Sequence, residues 1–239
     1  MSEPLTITLS AQRIFRLLLL ILGFLVTAHI VTQSVLRYLH PSWGVELMLR
    51  WDLEQEISIP TWYSHSLLLT AAVLLTIIAA DQWHARARQK RYWAALAVIF
   101  LYLSIDEGAS LHELAVRPVT KALNIQNSFL VLAWIIPAAA LLCVFFVVYF
   151  RFWWSLPAAI RILFAAAAAI YLGGALITES MSSAYAARYG IDNFGMSLMR
   201  VLEEGLEICG VSVFVYALLR YAAVTVRPVT LQFTSRSAQ

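Results

Sequence analysis

Six apolar runs of about twenty residues each alternate along the chain with short polar stretches, the length a helix needs to cross the hydrocarbon of a bilayer. They fall at roughly 14–36, 61–80, 93–112, 128–150, 158–179 and 196–220. Pro60 and Pro157 sit where a first helical turn tolerates proline, and aromatic residues flank both, Trp62 and Tyr63 at one and Phe152, Trp153 and Trp154 at the other. Pro137 lies inside the fourth run and predicts a kink there. The pattern predicts an all-α polytopic membrane protein, a six-helix transmembrane bundle forming one domain over 1–239. The first run is too long for the apolar core of a signal peptide and reads as a retained span.

Composition agrees with this pattern. Of 239 residues, 61% are hydrophobic and 13% charged, with mean hydropathy +0.76, whereas a soluble domain holds about 25% charged residues. A water-soluble enzyme and a disordered chain are both excluded. Cys143 and Cys209 lie in apolar runs, where cysteine behaves as a small hydrophobe.

Charge distribution sets the expected orientation. With the N-terminus inside, eleven Lys and Arg fall on the cytoplasmic side and six outside, the run RARQKR at 86–91 weighing most, so both termini are expected in the cytoplasm. The expected location is a bacterial inner membrane. The basic patches read as topology signals and call for no nucleic acid. Residues 44–58 carry an amphipathic stretch expected to lie on the outer surface with Glu46, Asp52, Glu54 and Glu56 toward water, or else to act as a lid. Residues 224–239 read as a polar cytoplasmic tail.

The acids then claim attention, because twelve of fourteen map to the outer third or the outer loops. The third run reads YLSIDEGASLHE at 102–113 and brings Asp106, Ser110 and Glu113 to one helical face, flanked by Glu107 and His112. The sixth reads RVLEEGLEICG at 200–210 and places Arg200, Glu203, Glu204 and Glu207 on one arc. His65, Glu179 and His29 lie at similar depth on three further runs. Five acids facing lipid would cost about 12–18 kcal/mol at 2.5–3.5 kcal/mol each, as much as the whole stability of a typical fold. They are therefore expected to face one another in a pocket open to the exterior.

Carboxylates with imidazoles from facing helices suit one or two divalent ions, zinc, iron or manganese. The expected metal ligands are His65, Asp106, His112, Glu113, Glu179, Glu203 and Glu207, with Glu107 and Glu204 as catalytic carboxylates and Arg200, His29 and Ser110 beside them. DEGASLHE at 106–113 and EEGLEICG at 203–210 share a short frame, a layout similar to carboxylate-bridged two-metal bundles without their Glu-x-x-His spacing. Taken alone, His29 is a hydrogen-bonded core histidine, and Arg200 is an ion-pair partner of Glu203 and Glu204. The expected function is a metal-dependent membrane enzyme, hydrolytic or oxidative at iron, acting on a lipid-borne or periplasm-side small molecule. A proton- or cation-coupled transporter and a non-catalytic accessory subunit are the alternatives. Spans two, three, five and six are expected to form the core, with one and four outside.

Overall fold

The computed structural model describes residues 10–53, 55, 57–111, 114, 130–190 and 193–227, without the side chains of 130–138 and 179. Among these residues there is no strand. The helices, in order, are α1 (Ala11–Leu39), the short α2 (Val45–Leu49), α3 (Ile59–His84), α4 (Lys90–Ala109), α5 (Leu130–Trp154), α6 (Ala158–Leu172), a π-helical segment (Gly173–Thr178), α7 (Glu179–Tyr189) and α8 (Phe194–Thr225). Five helical stretches are long and apolar enough to cross a membrane: Ala11–Leu39, Ile59–His84, Lys90–Ala109, Ala158–Tyr189 and Phe194–Thr225. In α5, Ala139–Trp154 forms a shorter apolar helix among the described residues. The chain is thus a helical, multi-pass membrane protein.

Polar residues set the helix ends. The Ser10 side chain accepts from Arg13 N, Ser58 from Thr61 N and Asn193 from Met196 N, each satisfying an N–H that the first turn leaves open. Pro60 follows Ser58 into the first turn of α3, where its missing N–H is harmless.

Buried apolar side chains seal the end of the bundle where α1 begins and α3 and α8 finish. Trp93 is fully buried there against Phe152, Phe164 and Tyr221, with Leu75, Ile78, Val215 and Leu218 beside it. The Arg227 guanidinium reaches Asp81 at 2.9 Å at the same end. Because the RARQKR run also lies there, this is the basic end, and the opposite end is the acidic one.

Three expectations need correction. First, α4 stops at Ala109, and Ser110 caps it in the left-handed region at φ 48°, so the helical face that carries Asp106 ends there. His112 and Glu113 lie outside the described residues, as do Glu54 and Glu56. Second, α1, expected outside the core, is the least buried of the five spanning helices, yet it packs along α8 and buries Leu25 and His29. Third, the 44–58 stretch does not lie flat. Only α2 is helical; Glu46 is exposed as expected, but the chain then turns inward and buries Asp52, Leu53 and Ser58. The turn is closed on itself by Ile59 N donating to Arg50 O (2.9 Å) and Arg50 Nη1 to Ile57 O (2.8 Å). Satisfying its own backbone groups in this way is what permits irregular chain inside an apolar bundle.

Candidate intramembrane acidic site

At 100° per residue, Ser197, Arg200, Glu204, Ile208, Val211, Val215 and Leu218 fall within an arc of about 80° on α8. The lower four are buried core residues. The same stripe is therefore apolar toward the basic end and polar toward the acidic end. Glu203 and Glu207 stand on the flank that meets the π-helical segment. A side chain at Gly174 would collide with Glu203 O at 2.8 Å and Glu207 Cγ at 2.9 Å, and one at Gly210 with the Tyr171 backbone N at 2.7 Å. These two glycines let the helices approach closely, as small residues do between membrane helices.

The Tyr171 hydroxyl lies within electrostatic reach of Glu207, Glu107, Glu204 and Asp106. Two carboxylates of α4 and two of α8 thus converge beside the last turn of α6. Directly beyond it the backbone widens into the π-helix, in which Thr178 Oγ1 donates to Gly174 O. Two consecutive glycines weaken the α-helix, and the threonine hydroxyl competes for its carbonyls, so a wider turn forms here. Single π turns of this kind occur frequently at functional sites. The next helix returns to the acids, and Ser182 Oγ donates to Glu203 Oε2 at 3.3 Å.

His65 joins from α3. Its Nδ1 donates to Ser104 O at 2.5 Å, and Ser104 Oγ donates to His65 O at 3.1 Å. A carbonyl can only accept, so the neutral ring carries its proton on Nδ1 and keeps the Nε2 lone pair available. That is the arrangement in which a histidine serves as metal ligand or base. Gly108 makes room: a Cβ there would lie 3.1 Å from His65 Nδ1.

His29 stands apart from this cluster. It is 1% exposed and ties three elements together at the acidic end. Leu53 N donates to its Nδ1 at 3.1 Å, Ser197 Oγ lies 3.3 Å from Nε2, and Asp52 Oδ1 lies 3.3 Å from Nδ1. Gln33 Nε2 donates to Asp52 Oδ2 at 2.8 Å. The order Ser197–His29–Asp52 has the outline of a nucleophile, base and acid. Nδ1, however, faces both the Leu53 N–H and the Asp52 carboxylate, and the Leu53 bond favours the tautomer opposite to the one a serine nucleophile needs.

Of the residues expected at the site, Asp106, Glu107, Glu204 and Glu207 lie within electrostatic reach of Tyr171, Glu203 sits against Gly174, and His65 lies beside Gly108. Arg200 shares the α8 stripe one turn before Glu204. Ser110 caps α4. Glu179 opens α7, its side chain outside the described set. Among the described residues, no three His, Cys, Asp or Glu side chains close around a point that could hold a metal ion. Sequence reasoning placed Ser182 with Glu179 among the polar groups of the fifth run but missed Tyr171, Ser104 and Ser197. It also missed the glycine pair at 173–174, a visible break in an apolar run that signalled the π segment.

A family model described as "Domain of unknown function (DUF8692)" matches residues 12–222. The chain belongs to that family. Its domain therefore takes in every helix described above, the acidic site and the buried Asp52–Leu53 turn. No curated protein and no solved structure matches the chain.

Proposed function

We propose that this family domain is a membrane enzyme whose acidic site takes one or two divalent ions, zinc, iron or manganese, and acts on a lipid-borne or periplasm-side small molecule. The observation that supports this reading is that Asp106, Glu107, Glu204 and Glu207, from two helices, all lie within electrostatic reach of the Tyr171 hydroxyl beside the close approach of Gly174 to Glu203 and Glu207. Donor chemistry fits such an ion: hard carboxylate oxygens from α4 and α8, and an imidazole held by its Nδ1–H so that Nε2 is available. Asp106, Glu203, Glu207 and His65 would hold it, with His112, Glu113 and Glu179 as the further ligands expected from the sequence. A bound ion of this class acidifies its water and polarises an ester or phosphoryl oxygen, or at iron supports oxidation. Glu107 and Glu204 accept and return the proton, and Tyr171 supplies a hydroxyl donor next to them. The reading includes six spans, both termini in the cytoplasm of a bacterial inner membrane and the acidic end outward.

The apolar seal that Leu75, Ile78, Trp93 and Leu218 make at the basic end favours a closed cup over a conduit. One observation favours the second reading, a proton- or cation-coupled transporter: no three ligand groups among the described residues close on one point. In that reading the acids titrate in turn. A non-catalytic accessory subunit is the third.

Elemental analysis of the detergent-purified protein separates these readings. Stoichiometric metal is expected in the parent and its loss in Glu204→Gln and Asp106→Asn, isosteric changes that keep packing. A metal-free parent that drives proton-dependent uptake in liposomes would replace the enzyme with the transporter.

A further inference from the structure

We propose that the basic end of the bundle binds an anionic phospholipid, whose headgroup sits on the α3–α4 linker and the α5–α6 turn. The surface lies at the end opposite the acids and stands independently of the metal reading. Two loops distant in sequence build it. Gln89 Nε2 donates to Ser155 Oγ at 2.5 Å, and Tyr92 packs against Phe152 and Tyr149, so the linker and the turn are fastened side by side. Together they and the adjoining helical turns carry Arg86, Arg88, Lys90, Arg91, Arg151 and Arg161. The chain holds no Asp or Glu at 82–105 or 114–178, so these stretches supply the patch with no carboxylate. Asp81, next to the linker, is held by Arg227 at 2.9 Å.

A topology signal needs only the number of cations, whereas here two of them are placed. Lys90 Nζ stands 4.7 Å over the Trp83 ring, and the Arg161 guanidinium stands 4.5 Å over the Trp154 ring. Arg161 Nη1 also donates to Trp154 O at 3.2 Å, and Trp153 Nε1 donates to Arg161 O at 3.0 Å. Both stacked indoles stay more than half exposed, Trp83 at 53% and Trp154 at 59%. Exposed indoles settle at the headgroup level of a bilayer, which sets both cations at the depth of the lipid phosphates. A guanidinium meets phosphate through paired N–H donors, and basic clusters at this depth hold anionic headgroups. The linker is also formed in advance. Ala85 N donates to Asp81 O, Arg86 N to Trp83 O and Ala87 N to Gln82 O, so little order has to be created on binding.

The test uses the detergent-purified protein without metal. It is titrated with phosphatidylglycerol, with phosphatidylcholine of the same acyl chains, or with inorganic phosphate, and bound lipid is counted by native mass spectrometry. The parent is expected to retain phosphatidylglycerol in preference to phosphatidylcholine. Each cation removed near a headgroup is expected to weaken retention about fivefold, so Lys90→Gln with Arg161→Gln weakens it about thirtyfold. Arg13→Gln with Arg220→Gln gives the same net charge at the same end, beside the Phe15–Tyr216 stack of α1 and α8, and is expected to leave retention unchanged. If Arg161→Gln does not insert, Arg88→Gln with Arg151→Gln, both exposed, carries the same expectation. Equal retention of the two lipids overturns the proposal. An equal loss in the two charge-matched variants overturns the placed site in favour of diffuse charge. Displacement of the lipid by inorganic phosphate at comparable concentration would make the surface a free-anion site and overturn the lipid. Absence of metal in the parent would overturn the proposed enzyme and leave this result standing.

Discussion

Glycine positions separate cleanly by what surrounds them. Gly174 and Gly210 lie against backbone atoms that cannot move aside, whereas Gly23 has nothing within 4 Å of where a Cβ would stand. Gly174→Ala and Gly210→Ala are each expected to destabilise by about 1–3 kcal/mol, the usual range for an overpacked core. Gly23→Ala is expected to be neutral or slightly stabilising through helix propensity. Thermal unfolding in detergent checks all three, and equal behaviour would refute the close approach of α6 and α8. Ser104 offers a second test. It is 1% exposed and bonds His65 across α3 and α4. Ser104→Ala removes a hydroxyl but leaves the carbonyl that fixes the tautomer, so a cost of about 1 kcal/mol in stability is expected. The tautomer of His65, read by nitrogen chemical shift in labelled protein, is expected to stay the same.

At the scale of elements, the π segment is the informative one. An α-helix carried straight through from α6 would turn every later side chain by about 100° relative to its present direction, the rotation of one residue. Ser182 then loses its line to Glu203. Deleting Ala175 is expected to restore regular helix, remove the Ser182–Glu203 bond and abolish metal retention while the protein still inserts in the membrane. Elemental analysis beside a membrane-extraction assay decides this, and full metal content in the deletion variant would show that the wider turn is incidental. The α3 start carries a related lesson. Pro60 and the aromatic pair after it mark where the helix begins, and the helix does begin there. What surrounds that start is unlike the surface segment expected, because the chain arrives from inside the bundle.

For the whole molecule, the segregation of charge between the two ends is the dominant feature. The Asp81–Arg227 contact has a guanidinium 65% exposed and is expected to contribute at most about 1 kcal/mol, screened by salt. Arg227→Ala is expected to leave unfolding temperature nearly unchanged, with any difference vanishing at high ionic strength. A large salt-independent loss would point to packing by the tail of α8. The expected orientation is checked independently by labelling single cysteines placed at Glu46 and Arg88 from either side of sealed vesicles. Glu46→Cys should react from outside and Arg88→Cys from inside.

Much of this architecture was legible in the chain itself. Hydrophobic runs of membrane length dictate helices, since backbone polar groups in lipid have no other partner, and Ser10, Ser58, Pro60 and Asn193 mark where they start. The energetic penalty on Asp106, Glu107, Glu204 and Glu207 raised the expectation that they face one another, and all four lie within electrostatic reach of Tyr171. Residues distant in sequence were decided by packing alone. Tyr171 reads as one aromatic among ten tyrosines until Gly210 brings its backbone against α8. Asp52 reads as one more loop acid until His29 and Gln33 hold it inside. Periodicity carries the direction of a side chain within its own helix. Which other helix it meets, and at what depth, follows from close contacts between chains of atoms far apart along the sequence, and no local pattern encodes those.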